Sequence, residues 1–371
     1  MPRHVYVHVP FCSRRCTYCD FSIAVRRTVP VDEYVAALDA ELTARFAESP
    51  AAEVDTLYLG GGTPSRLGGE GVARAIRSVG RFFPLARGGE LTIEANPEDV
   101  TEAAVAAWVG AGVNRLSLGS QTFDDAVLTW MHRTHDAAAI ERAVATARSG
   151  GITNLSLDLI FALPASLHRD FEADVSRLLS LQPPHVSLYG LTVEPGTALG
   201  KWVASGATSE RVEEGYEAEF LAAHELLGAA GLEHYEVSNY ALPGHRSRHN
   251  SSYWAGVPYV GLGPSAHGFD GETRRWNARS YAAWRDLTLA GRDPMDGSER
   301  LSEQNRVAEA VYLGLRSDAG LPMAPGEERI VALWRDQDWV SVSSEGRLRC
   351  TALGWLRLDS LAAALTHSRS R

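Results

Sequence analysis

No stretch of this 371-residue chain approaches the ~20 consecutive apolar residues that a membrane-spanning helix needs. Its first residues also lack the pattern of a secretory signal. Both absences point to the cytoplasm. Positive charge is scarce: 36 Lys and Arg stand against 46 Asp and Glu, for a formal net charge of -10. Such a surface repels a phosphate backbone, so no nucleic-acid partner is expected. Only four cysteines occur. They are too few and too clustered for a disulfide framework and fit a reducing compartment better.

Three of the four cysteines lie in His8-Val9-Pro10-Phe11-Cys12-Ser13-Arg14-Arg15-Cys16-Thr17-Tyr18-Cys19-Asp20-Phe21, spaced C-x3-C-x2-C after an apolar strand at 5–9. Thiolates this crowded suit zinc or an iron–sulfur cluster. Zinc normally wants a fourth protein ligand, which His8 could supply. A [4Fe–4S] cluster usually takes four cysteines. Held by Cys12, Cys16 and Cys19 alone, it has one iron open to another molecule. Cys350 stands apart and reads as a small buried apolar side chain.

Strand-like runs at 5–9, 56–59, 91–94, 115–118, 154–160 and 185–189 alternate with helix-patterned stretches at 31–47, 70–83, 101–110, 136–148 and 167–181. Six β/α units predict a parallel sheet with helices outside it. Eight would close a TIM barrel, so six predict an incomplete (β/α)6 TIM-like barrel whose chemistry sits at the C-terminal strand ends. The polar and glycine-rich residues gather at those ends. They are the cysteines, Gly60-Gly61-Gly62-Thr63-Pro64-Ser65, Glu94-Ala95-Asn96-Pro97, Ser117-Leu118-Gly119-Ser120-Gln121 and Asp158. Any one of these reads equally as turn chemistry. Asp158, an acid inside an apolar run, is costly to bury unless it is paired, so it is expected to face the site.

The cysteine spacing, with Tyr18 just before the last cysteine, resembles the signature of the radical S-adenosylmethionine (SAM) superfamily. There, the amino and carboxylate groups of SAM chelate the open iron. Over nearly its whole length the chain is similar to the branch that holds oxygen-independent coproporphyrinogen III oxidase (HemN) and the heme chaperone HemW. The matching segments are YVHVPFCSRRCTYCDF, LGGGTPS, IEANPE, LSLGSQTF, HRTH and DLIFALP. The resemblance implies that Cys12, Cys16 and Cys19 hold the cluster and that Tyr6 and Tyr18 lie against SAM. It also implies that Gly61, Gly62, Thr63, Glu94, Gln121, Arg133 and Asp158 complete the nucleotide site.

Two departures separate the chain from the oxidase. The oxidase has a further cysteine two residues past the third, where Phe21 stands here. It also carries an N-terminal extension, whereas Tyr6 here already lies in the first strand. A third feature, Arg248-His249-Asn250-Ser251-Ser252-Tyr253-Trp254, matches the H-N-x-x-Y-W segment of HemW. Histidine is a common axial ligand of heme iron and aromatics line porphyrin faces. A hydrogen-bonded core histidine fits the same residues, and His234, His245 and His267 are competitors for the ligand.

The expected organisation is a core barrel at 1–240, a connecting region at 241–298 and a small C-terminal helical, winged-helix-like domain at 299–371. Within the last, helices at 305–316 and 326–336, a hairpin of 339–342 with 347–350, and a final helix at 351–365 are predicted. The resemblance implies a heme chaperone with a [4Fe–4S] cluster, SAM and heme. Its partners are acceptor hemoproteins, respiratory enzymes among them, and an electron donor for the cluster. The alternatives are the oxidase itself, or another radical SAM enzyme acting on a tetrapyrrole.

Overall fold

The computed structural model describes residues 2–49 and 51–370. Six parallel strands pair in chain order: β1 (His4–Val9), β2 (Val54–Gly61), β3 (Leu85–Ala95), β4 (Arg115–Gln121), β5 (Asn154–Phe161) and β6 (His185–Gly190). Helices Val31–Phe46, Gly68–Gly80, Glu102–Gly110, Ala137–Ser149 and Phe171–Ser180 connect them. The sheet grows at both margins. β7 (Glu233–Glu236) and β8 (Asn239–Ala241) continue it antiparallel beyond β6, while β9 (Val260–Leu262) pairs in parallel with β1. No ladder joins β7 to β9 among the described residues, so the TIM-like barrel is not closed by hydrogen bonds.

Alternation along the strands decides what faces where. Val5, Val7 and Val9, with Leu57, Leu59, Ile93, Leu116, Leu157 and Val186, join one apolar core with the helices. Each such buried aliphatic side chain contributes about 1.5–3 kcal/mol relative to exposure. Most alternate positions carry polar, aromatic or glycine residues, and Ile160 on β5, which borders the mouth of the lumen, is an aliphatic exception. His4, Tyr6 and His8 pair across with Thr56, Tyr58 and Gly60. Glu94, Ser117 and Ser156 stand in one row, as do Gly119, Asp158 and Ser187. A parallel sheet buried on both faces usually reads as continuous aliphatic sequence. This one has a polar lumen.

Three predicted elements differ in detail. The helix expected at 167–181 begins only at Phe171. His168 adopts φ 53°, and Asp170 caps the new start by accepting from the Ala173 N–H. The stretch 256–268, whose glycines, prolines and threaded aromatics read as an ordered loop bordering the open side of the barrel, supplies β9 and so lengthens the sheet. The final helix expected at 351–365 divides into Ala352–Trp355 and Leu358–Arg369, with Arg357 at φ −116° between them. The rest of the C-terminal part follows the predicted order, and Leu358–Arg369 packs on helix Glu303–Arg316. The apolar core runs unbroken into it through Val311, Leu315, Trp355 and Leu365.

Glu41 fastens the β9 side. It is fully buried and accepts from Arg45, the Gly263 N–H, Asn277 and the Trp284 indole at 2.6–2.8 Å.

Candidate functional site

Cys12, Cys16 and Cys19 lie on the loop after β1 at the C-terminal mouth of the barrel, and all three line a cavity of about 430 Å³. The loop is tied down at three points. The Cys19 N–H donates to the Cys16 carbonyl at 3.3 Å, the Thr17 N–H to the Met131 carbonyl at 3.3 Å, and the Leu199 N–H to the Thr17 carbonyl at 2.8 Å. Cys12 Sγ lies 3.3 Å from Thr63 Oγ1, and Arg133 Nη1 donates to Cys16 Sγ at 3.6 Å. Burial pushes the Cys12 thiol up to about 11, against the lowering effect of the Thr63 hydrogen bond.

These cysteines suit a cluster better than a single ion. Among the described residues, no three His, Cys, Asp or Glu side chains meet at a point that would hold one metal ion. Zinc needs its sulfurs about 2.3 Å from one centre. A [4Fe–4S] cluster takes one thiolate per iron and asks for no such convergence. His8, considered above as a zinc ligand, has both ring nitrogens engaged, Nδ1 with Tyr6 Oη at 3.2 Å and Nε2 with the Ser22 carbonyl at 3.0 Å. Hydrogen bonding within the protein removes it from the ligand set.

The other walls come from the next strand ends. Gly61 holds φ 109°, and a Cβ on Gly62 would meet the Pro10 carbonyl carbon at 2.6 Å. Only glycine lets this turn press against the β1 loop. Thr63 follows. From β3 comes Glu94, which accepts from Tyr58 Oη at 2.8 Å and from the Gly61 N–H at 3.0 Å. Burial raises this carboxyl to about 7, with the neighbouring Asp158 adding to the effect. Asp158 on β5 accepts from Ser117 at 3.1 Å and Ser156 at 3.3 Å, and burial lifts it to about 6. Gln121 ends β4 at φ 69°. Arg133 donates to Asn96 Oδ1 at 2.8 Å and the Gly119 carbonyl at 2.9 Å, while its Nε is buried without a partner. Tyr18 borders the same cavity and packs on Val127, Met131, Ile160 and Leu163. Two half-buried carboxylates and a guanidinium facing one space can hold a ligand carrying both an ammonium and a carboxylate.

All but two of the residues expected from sequence line this cavity. Tyr6 lies one layer deeper, stacked on Tyr58 at 6.1 Å. His249 lies at the other end of the lumen. Its helix, Arg248–Trp254, plugs the N-terminal strand ends, where the Glu90 carboxylate accepts from the Arg248 and His249 N–H groups at 3.0 and 2.9 Å. An acid at a helix start is favourable with the helix dipole. His249 Nδ1 contacts Thr56 Oγ1 at 2.7 Å and Nε2 contacts Tyr253 Oη at 2.9 Å. Burial pushes the imidazole down to about 3. The ring is thus neutral, 1% exposed and fully hydrogen-bonded. Beyond Tyr253 and Trp254 opens a second cavity of about 810 Å³, bordered by Tyr259, Phe269, Arg274 and Leu313.

Sequence reasoning assigned no role to Asn96, Ser117, His132, Tyr189 or Glu194, which also line the first cavity, although it named the segments that hold the first three. Ser117 was findable, because it is the inward residue between Leu116 and Leu118. Tyr189 is followed by a single glycine, Gly190, with no acid or longer glycine-rich turn to mark that strand end as part of a site.

Comparison with known proteins agrees with this geometry. The Radical SAM superfamily model matches residues 6–178. The heme chaperone HemW of Mycobacterium tuberculosis (strain H37Rv) is 38% identical over 326 residues, 87% of this chain and 84% of its own. The heme chaperone HemW of Bacillus subtilis is 34% identical over 320 residues, 86% of this chain and 84% of its own. Among solved structures, coproporphyrinogen III oxidase (HemN) from Escherichia coli superposes with a TM-score of 0.83 at 22% identity, covering 98% of this chain and 90% of that one. That likeness is one of fold.

Proposed function

The chain belongs to the radical SAM superfamily and, within it, to the HemW family, and from that premise we propose that it is a heme chaperone carrying a SAM-coordinated [4Fe–4S] cluster. Cys12, Cys16 and Cys19 hold the cluster, which supplies an open iron for SAM and a one-electron reductant when bound. Glu94 and Asp158 receive the ribose hydroxyls and amino N–H groups of SAM, Arg133 faces its carboxylate, and Gly61, Gly62, Thr63, Gln121, Tyr18 and Tyr6 shape or support the pocket. Heme binds at the far end, with His249 as axial ligand and Tyr253 and Trp254 against the porphyrin, and passes to acceptor hemoproteins such as respiratory enzymes. The setting is the cytoplasm, and a reduced carrier feeds the cluster. Among the described residues, no helix is long and apolar enough to cross a membrane.

One observation carries the heme half of this reading: a neutral histidine lies one tyrosine away from a roomy cavity with an aromatic border. Iron takes the neutral form of imidazole, and burial keeps His249 in that form. Tyr253 occupies Nε2 in this structure, so ligation requires that side chain to swing aside. The oxidase alternative draws on the SAM-type cavity and the HemN-like fold, and fold alone does not choose an activity.

The test is a heme titration of the purified protein beside an anaerobic assay with coproporphyrinogen III, SAM and a reductant. Heme binding without turnover is the expected result. Repeated turnover to protoporphyrinogen would restore the oxidase.

A further inference from the structure

The cluster loop carries charge of the opposite sign to the molecule as a whole. Between residues 12 and 28 stand four exposed arginines, Arg14, Arg15, Arg26 and Arg27, against the single acid Asp20. Among the described residues none of the four forms an ion pair, whereas Arg66 beside them is paired with Asp99. Arg15 Nη1 donates only to the backbone carbonyls of Cys19 at 3.1 Å and Phe21 at 3.4 Å, and Arg26 Nη1 only to the Val25 carbonyl at 3.0 Å. A fifth exposed and unpaired arginine, Arg279, is held at the same place, because Ser22 Oγ donates to its carbonyl at 2.7 Å.

These residues are fixed close to the proposed iron ligands. Strand residues Phe11 and Cys12 pair in parallel with Ala24 and Val25, and the Arg26 N–H donates to the Cys12 carbonyl at 2.9 Å. Arg14 and Phe21 border the mouth of the cluster cavity. Amid the positive ring sits exposed apolar surface, Phe21 at 62% and Val25 at 44%. An apolar centre inside a charged rim is the anatomy of a protein contact. On a chain of net charge -10, a local positive ring steers an acidic partner toward one orientation while the rest of the surface repels it.

We infer that this arginine ring is the docking surface for a small acidic one-electron carrier protein that reduces the cluster. The inference rests on the cluster assignment above. In the step, the carrier loses one electron and the oxidised cluster gains it; no bond forms or breaks and no proton moves. Phe21 and Val25 form the dry centre of the contact, and Arg14, Arg15, Arg26, Arg27 and Arg279 meet carboxylates on the carrier.

The test uses flavodoxin hydroquinone as the carrier and the full chain, anaerobically reconstituted. Cluster reduction is followed by stopped-flow absorbance in the wild type, in the double variant Arg14→Glu/Arg27→Glu, and in Arg335→Glu as a remote control. The double variant should reduce at least about tenfold more slowly at low salt, within the range that electrostatic steering supplies. The difference should shrink as salt rises, and Arg335→Glu should match the wild type. Photoreduced deazaflavin, which needs no docking, should reduce all three equally. Calorimetry of oxidised flavodoxin with cluster-free protein should show the same loss of affinity. Equal rates with flavodoxin in all three proteins would overturn the inference. So would a double variant that loses only binding to phosphatidylglycerol vesicles, which would make the ring a membrane contact. If no cluster assembles in the wild type, the cluster assignment fails instead, and the calorimetry still decides the docking surface.

Discussion

Tyr58 stacks on His249 with ring centroids 5.0 Å apart and planes inclined by 27°. The same tyrosine donates to Glu94 at 2.8 Å. One side chain therefore links the floor of the lumen, where the heme-family motif sits, to the wall of the SAM-type cavity. The link follows from alternation along β2, where Thr56, Tyr58 and Gly60 share one face: Thr56 meets His249, Tyr58 meets His249 and Glu94, and Gly60 lies against Glu94. The two proposed sites are opposite ends of one polar column.

The wall acids set a pH dependence for SAM. Burial lifts Glu94 to about 7 and Asp158 to about 6, and their ionised forms accept more strongly from the amino and ribose hydroxyl donors of SAM. SAM affinity, measured by calorimetry or by the change in the cluster's EPR signal, should rise from pH 6 to pH 8. Asp158→Asn and Glu94→Gln should each weaken SAM binding about ten- to a hundredfold at pH 8, the loss of one charge-assisted hydrogen bond. The cluster should remain in both. The sign for folding is opposite. A carboxyl raised in the folded state binds more protons there than when unfolded, so its effect on stability weakens as pH climbs from about 4.5 through 7.

Cluster assembly is the next check. Cys12→Ala, Cys16→Ala and Cys19→Ala should each abolish the brown colour and the iron content of anaerobically reconstituted protein, expected at about four irons per chain. Cys350→Ala should leave both intact, because Cys350 is buried on the strand Arg347–Cys350, remote from the loop. Zinc in place of iron in the wild type would contradict the cluster.

The six-strand core was legible because its outward residues are aliphatic and its strand ends carry glycine or acid. Asp158 was legible for the same reason, an acid out of place in an apolar run. The added margins were not. β7, β8 and β9 are three or four residues long, too short for periodicity to declare them, and they depend on neighbours distant in sequence. The depth of His249 was hidden too. Its partners Thr56, Tyr253 and, through the backbone, Glu90 come together only when β2, β3 and helix Arg248–Trp254 meet at the barrel floor. The sequence allowed a hydrogen-bonded core histidine here, as the structure has it, but did not tell which partners would engage the two nitrogens.

Glu41 is the test of the core. It is a fully buried carboxylate with donors from Arg45, Gly263, Asn277 and Trp284. Glu41→Ala leaves Arg45, itself buried, without its counter-charge. Breaking a buried pair on one side costs about 3–5 kcal/mol. Chemical denaturation should show a loss of that size or failure to fold at 37 °C, whereas Arg77→Ala, on an exposed pair with Glu70, should change stability by less than about 1 kcal/mol.

The hydrogen bond between His249 Nε2 and Tyr253 Oη, 2.9 Å, makes the heme reading quantitative. If iron takes Nε2, Tyr253 competes with it. Tyr253→Phe keeps the ring and its contact with Tyr259 at 4.7 Å but removes the competitor. A neutral hydrogen bond contributes about 0.5–1.5 kcal/mol net, so heme affinity should rise roughly twofold to tenfold. The Soret band should keep its wild-type position, because the ligand is unchanged. His249→Ala should shift that band and slow transfer to an acceptor apoprotein. Affinity should fall less than ligation does, since the porphyrin still packs on Tyr253 and Trp254. A heme titration of the three proteins side by side separates the cases. An unshifted band in His249→Ala moves the ligand to His245, His267 or His234. Of these, His234 is half-buried, hydrogen-bonded to His224 at 3.0 Å and stacked on Tyr240 at 3.9 Å. Weaker heme binding in Tyr253→Phe would make the tyrosine hydroxyl a contributor to heme binding instead of a gate over His249.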